Sequence, residues 1–236
     1  MKRIAIVSSI AAFLLGSPCV AQGLAAKDSL AEKMLVYQLT NGAWPKQLVD
    51  KSVVDYKLPL TKELLRKIKK TDIDHATLDN GATTREINGL INAFKETKND
   101  VYLKAAEKGI SYLLSAQYDN GGFPQYYPNK SLYRAEITYN DNAMINTLMV
   151  LHHVANKQLG FDAVNPTFIS KAQHAIAKGI ACILKTQVIQ DGERSIWAAQ
   201  YDEQTLIPAQ ARKFEPPSLS TSESVAIVRF LMLQPV

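Results

Sequence analysis

Two short runs of this 236-residue chain set hard oxygen donors side by side: Asp79-Asn80, and Asn140-Asp141-Asn142 inside Ile137-Thr-Tyr-Asn-Asp-Asn-Ala-Met144. Carboxylate and amide oxygens of this kind suit calcium, which takes about six to eight of them at roughly 2.3 to 2.6 Å. Asp79, Asn80 and Asp141 cannot fill such a shell. Water or an anionic substrate would have to complete it, which is how a catalytic ion differs from a structural one. The same residues also suit helix N-caps and loop hydrogen bonds, and their spacing alone leaves both readings open. Zinc fits poorly, because His75, His152, His153 and His174 show no ligand spacing. A glycine-rich phosphate loop and a serine nucleophile elbow are both lacking in the sequence.

The elements that must position these residues read as helices. Asp28 or Ser29 caps a first helix carrying Leu30, Met34 and Leu35 on one stripe, and Leu60 to Lys70 forms a solvated, lysine-rich amphipathic helix. Thr83-Thr-Arg-Glu86 has the form of a capping box, opening a helix through Ile87, Leu90, Ile91 and Phe94. Asp100 caps the next, which ends at Gln117. A loop rich in tyrosine, glycine and proline then leads to Asn142–Ala155, apolar on most of its circumference and therefore buried among other helices. Pro166 starts a helix reaching Gln187, and Ser220-Thr-Ser-Glu223 reads as a second capping box before the last one. No sustained strand pattern occurs beyond fragments such as Ile137 to Tyr139.

A repeat organises these helices. Lys108-Gly-Ile, six residues and Gln117 recur 70 positions later as Lys178-Gly-Ile, six residues and Gln187, each followed by a glycine turn and an aromatic; Gln38 to Trp44 is a weaker copy. The unit is an outer helix ending in Gln, a loop, and a more buried inner helix. Such hairpins must stack to bury their faces, and unequal apolarity of alternate helices favours an all-α, α/α toroid over an open superhelix. One rim then collects Asp79-Asn80, the Asn120 loop, Asn140 to Asn142 and the loop containing Arg212.

Residues 1–21 combine Lys2-Arg3, an apolar run from Ile4 to Leu15 and small residues up to Ala21, the layout of a cleavable export signal rather than of an anchor. The expected mature domain is residues 22–236, secreted or periplasmic, with no membrane contact after cleavage. Cys182 is then its sole cysteine, so no internal disulfide forms; in an apolar helix it reads as a buried, inert thiol. The formal charge falls from +5 to +3 without Lys2 and Arg3, a mild surplus that, with export, argues against nucleic-acid binding.

The segments Thr77-Leu-Asp-Asn-Gly-Ala-Thr83, Gln117-Tyr-Asp-Asn-Gly-Gly-Phe-Pro-Gln-Tyr-Tyr-Pro128, Ile137 to Met144, Trp197-Ala-Ala-Gln-Tyr-Asp202 and Ala211-Arg-Lys-Phe-Glu-Pro-Pro-Ser-Leu-Ser220 resemble, in order, polysaccharide lyase family 10 pectate lyases. The resemblance implies an α/α toroid catalytic module that cleaves polygalacturonate (pectate), its expected partner, by calcium-dependent β-elimination to unsaturated oligogalacturonides; the chain is expected to be a monomer. By motif it places Asp79, Asn80 and Asp141 at the calcium and acidic site and makes Arg212 the base. Arginine is an awkward base, with a free pKa above about 12; read without the family, Arg212 pairs with substrate carboxylates or with Glu215. Modules of the family continue further than Gln234-Pro-Val236, so the toroid is expected to be C-terminally short. The alternatives are a non-catalytic or truncated uronate-binding remnant, and a toroid glycoside hydrolase using Asp79 and Asp141 as acid and base.

Overall fold

The computed structural model describes residues 26–235; the export-signal expectation for residues 1–21 lies outside them. Seven α-helices carry the fold among the described residues: α1 Ser29–Tyr37, α2 Lys62–Lys70, α3 Thr84–Thr97, α4 Asp100–Ala116, α5 Ala143–Asn156, α6 Thr167–Thr186 and α7 Thr221–Met232. Among the described residues strand structure is limited to two-residue pairs, β1 Ile137–Thr138 with β4 Gln200–Tyr201, and β2 Ile189–Gln190 with β3 Glu193–Arg194. Helices α3 and α4 form one antiparallel hairpin and α5 and α6 the next, with α3, α5 and α7 side by side as an inner layer and α1, α4 and α6 as an outer one. The all-α toroid arrangement expected from the repeat is the one observed.

The repeat has a physical cause. At the end of α1, Gln38 donates to the carbonyls of Gly42 and Ala105, both at 2.9 Å, tying its turn to α4. At the end of α4, Gln117 donates in the same way to Gly121 and Ala175, at 3.0 and 2.8 Å, tying its turn to α6. Gly42 and Gly121 have φ of +91° and +94°, and a Cβ on either would collide with the carbonyl of Lys108 or Lys178. Only glycine suits both demands. Trp44 and Trp197 are buried, their indoles donating to Met34 and Ile183 carbonyls at 2.7 and 2.8 Å. They pack the layers, as do Phe123 and Tyr139.

Most expected helices appear within two or three residues of their bounds, but three caps differ, Ser220 among them: it stands before α7 without a side-chain cap bond, its hydroxyl donating to Glu223 and its amide to the Trp197 carbonyl. Thr83 does not cap α3: its hydroxyl accepts from the Trp44 amide at 3.0 Å and donates to the Thr77 carbonyl at 2.9 Å, while its φ is 70°. Glu86, fully buried, turns instead to Tyr56 and Arg85. The tertiary partners outcompete the local box. Asn99 rather than Asp100 caps α4, accepting from Val101 at 3.1 Å. Helix α5 is buried at Ala143, Met144, Ile145, Leu148, Val150, Leu151 and Val154, as its apolar circumference requires.

Candidate active site

The chain enters each of the first two full inner helices through a 3₁₀ turn, Asp79–Gly81 before α3 and Asn140–Asn142 before α5, and the two turns touch. Inside them the backbone is left-handed: φ is 52° at Asn80, 53° at Asp141 and 56° at Asn142. Asn and Asp tolerate this region better than other side-chain-bearing residues, which explains their placement here. Neighbouring Thr83 is β-branched at φ 70°, where such a residue costs on the order of 1–3 kcal/mol, and its hydrogen bonds hold it.

Backbone bonds bring the remaining parts into register. Thr77 pairs with Tyr126, and Leu78 donates to the Gln125 carbonyl at 3.0 Å, so Gln125 stands beside Asp79. The Ala199 carbonyl accepts from both Tyr139 and Asn140, at 2.9 and 3.0 Å, fixing the Asp141 turn against the loop that continues to Arg212. Together these segments enclose a cleft of about 560 Å³, on which Asp79, Asn80, Asp141 and Arg212 all open, with Lys46, Gln125 and Tyr133. The structure thus gathers every site residue expected from the sequence at one place.

Asp79 is only 1% exposed. One of its carboxylate oxygens, Oδ2, pairs with the Lys46 ammonium, while Oδ1 is buried with no hydrogen-bond partner. Gln125 Oε1, on the same cleft, is likewise buried without a partner. Asp141 is exposed as a residue, but part of its carboxyl is enclosed beside Asp79. That enclosure first, and the Asp79 charge second, raise its pKa. Lys46 is raised in the opposite sense of its burial, because the Asp79 carboxylate more than offsets desolvation. Two crowded carboxylates and unpaired acceptor oxygens form a donor set short of positive charge, which fits a hard divalent cation.

Arg212 lies on an exposed turn, donating through Nε to Glu215 at 2.8 Å and through Nη2 to the other oxygen of the same carboxylate. This fork holds the guanidinium protonated: the Glu215 hydrogen bond, then its charge, raise the Arg212 pKa further. Lys46, Gln125, Tyr133 and Glu215 were not singled out as site residues from the sequence. Lys46 follows the buried Trp44-Pro45 of the weak repeat copy, and that position was the only signal for it.

A second group of carboxylates, Glu136, Asp202 and Glu203, has oxygens within 4.8 Å of one another and was not foreseen. Burial first, then Glu203 and Asp202, push Glu136 up to about 7. It shares a shallow depression with Arg212, beside the main cleft.

Fold and cleft define an all-α toroidal module of stacked helical hairpins with an acidic cleft on one rim. The family model described as pectic acid lyase matches residues 38–236, and the chain belongs to that family. Among solved structures, a family 10 polysaccharide lyase from Cellvibrio cellulosa is 36% identical, with a TM-score of 0.79 over 88% of this chain. An aspartate-to-alanine mutant of the Cellvibrio cellulosa lyase in complex with trigalacturonic acid matches equally well. The present chain spans 61% of the length of these structures. No curated protein matches it.

Proposed function

We propose that this chain is the catalytic module of a pectate lyase, cleaving polygalacturonate by calcium-dependent β-elimination to unsaturated oligogalacturonides. The observation that carries the reading is buried Asp79, whose Oδ1 has no hydrogen-bond partner and which lines the same cleft as Asp141 and Arg212. The trigalacturonic acid bound by the Cellvibrio cellulosa mutant supports the substrate class.

Asp79, Asn80 and Asp141 would hold the calcium ion, with Gln125 at hand as a further oxygen donor. Bound there, calcium supplies a positive charge against the uronate carboxylate, where negative charge builds as the C5 proton leaves. Lys46 fixes Asp79 by its other oxygen, Oδ2, and leaves Oδ1 without a protein partner. Arg212 takes the C5 proton in its neutral form, so its fork with Glu215 must open first. The C5–H electron pair becomes the C4–C5 double bond, O4 departs with the C4–O pair and takes a proton from water, and the hydroxide so formed removes the proton held by Arg212, restoring both water and base.

The crowding of Asp79 and Asp141 also weighs against the glycosidase alternative. An inverting hydrolase keeps its carboxyl groups about 6.5–9.5 Å apart to admit a water, whereas Asp141 is enclosed so near Asp79 that burial first, and the Asp79 charge second, raise the Asp141 pKa. Export to the periplasm or beyond, and action as a monomer, complete the reading; no helix among the described residues is long and apolar enough to cross a membrane.

Product mass tests the reaction class. Elimination splits the chain without taking up water, so one product of each cut should be lighter by a water than its hydrolytic counterpart. Products carrying the added water would overturn the lyase reading in favour of the hydrolase, and binding without cleavage would favour the uronate-binding remnant.

A further inference from the structure

Beside the cleft, and sharing Lys46 and Asn80 with it as a common wall, lies a depression of about 330 Å³ completed by Gln47, Val53, Val54 and Arg85. We propose that this depression is a second uronate subsite, in which Arg85 receives the carboxylate of a sugar neighbouring the one in the cleft; the inference rests on the pectate reading above.

Arg85 is built to be a fixed cation. Its Nε donates to Glu86 Oε1 at 2.9 Å and its Nη2 reaches the same oxygen, while the guanidinium lies 5.8 Å from the centre of the Tyr56 ring. Tyr56 donates to that oxygen as well, at 2.8 Å. Glu86 is fully buried, and its second oxygen, Oε2, has no partner. A buried carboxylate left half unsatisfied is costly, and helix α3 would be more stable with an apolar residue there. What the arrangement provides is a guanidinium held at a set place and orientation while its side chain stays 49% exposed. Nη1 meets no protein acceptor among the described residues, so the outward edge of the fork is available.

The surroundings suit a sugar acid. Asn80 and Gln47 offer amides for ring hydroxyls, and Val53, 67% exposed, offers with Val54 an apolar surface for a C–H face. The shared wall matters most. A polymer whose carboxylate lies against Asp79 and Asp141 can continue over Lys46 and Asn80 without leaving the protein, bringing its next acid group towards Arg85. A neutral polysaccharide would gain nothing from that cation, so the arrangement selects an unesterified acidic chain.

The test compares kcat/KM on oligogalacturonates of increasing length, in calcium, for the full chain and for Arg85→Gln and Val53→Asp. Val53→Asp sets a like charge at the exposed wall and leaves the Arg85–Glu86 fork intact, so it carries the test if Arg85→Gln fails to fold. The native chain should gain sharply with length, and that gain should fall by about tenfold or more in either variant, the loss expected for a charge-assisted hydrogen bond. Oligomers methyl-esterified only on the sugar that would meet Arg85, with the reacting sugar left free, should show no such difference between native and variant chains. An unchanged length profile in both variants, or an equal loss on esterified oligomers, overturns the subsite while leaving the lyase reading in place. If the native chain cleaves no oligogalacturonate at all, the lyase reading fails and the subsite falls with it.

Discussion

Replacing Lys46 by Met should separate the stability of the cleft from its chemistry. The Asp79 carboxylate is 1% exposed, one oxygen meets no donor, and Lys46 provides the bond to the other. Breaking a buried ion pair by removing one partner costs about 3–5 kcal/mol. The Lys46 side chain is 26% exposed, so the low end applies, about 3 kcal/mol. For a domain of this size each kcal/mol lowers Tm by about 2–4 °C, giving a drop of roughly 6–12 °C in chelator. Calcium at Asp79 would restore the missing charge, and at about a hundred times its Kd would return about 2.7 kcal/mol. The variant should therefore gain more Tm from calcium than the native chain, in which the ion meets a carboxylate already paired. Thermal unfolding followed by circular dichroism, with chelator and with saturating calcium, reads both quantities. Equal melting temperatures in chelator, or equal calcium shifts, would refute the assignment of Asp79 as a buried ligand held by Lys46.

Other perturbations probe separate parts of the molecule. Gly121→Ala forces a side chain into φ +94° and into the Lys178 carbonyl, so a loss of about 3 kcal/mol, seen as a lower denaturant midpoint, is expected. Glu136, raised to about 7, keeps a proton in the folded chain that the unfolded chain has released. Its contribution is complete below the ordinary glutamate range and is lost as pH rises through about 7, so Tm should decline across that window and Glu136→Gln should flatten the decline. Arg212→Ala should abolish turnover and leave Tm nearly unchanged, since its pairing with Glu215 is exposed. If the neutral guanidine is the base, native kcat/KM should climb with pH through the alkaline range; a plateau beginning near neutrality would point to a different group.

Much of this architecture could be read from the chain because its signals are local and repeated. Gln38 and Gln117 each close a turn onto the next outer helix, and the glycines that follow admit no alternative, so the repeat marks the layers directly. Asp79, Asn80 and Asp141 were legible as a cluster for the same reason: each sits at the entrance of an inner helix, and the repeat places those entrances on one rim. Residues whose partners are distant in sequence were not legible. Thr83 looks like a cap until Trp44, 39 positions earlier, takes its hydroxyl. Glu86 looks like the other half of that cap until Tyr56 and Arg85 claim it. Lys46 carries no motif, and only the fold shows that it neutralises Asp79. Glu136, Asp202 and Glu203 come together only because β1 pairs with β4.

The central claim is elimination at a cation site built by Asp79, Asn80 and Asp141. Its most direct measurement is ultraviolet absorbance of the C4–C5 unsaturated product during incubation with polygalacturonate, in calcium and in chelator, for the native chain and for Asp141→Ala of matched Tm. The account predicts absorbance that rises with calcium, stops with chelator, and needs far more calcium in Asp141→Ala. Reducing ends released without absorbance, or an identical calcium requirement in the variant, would contradict it.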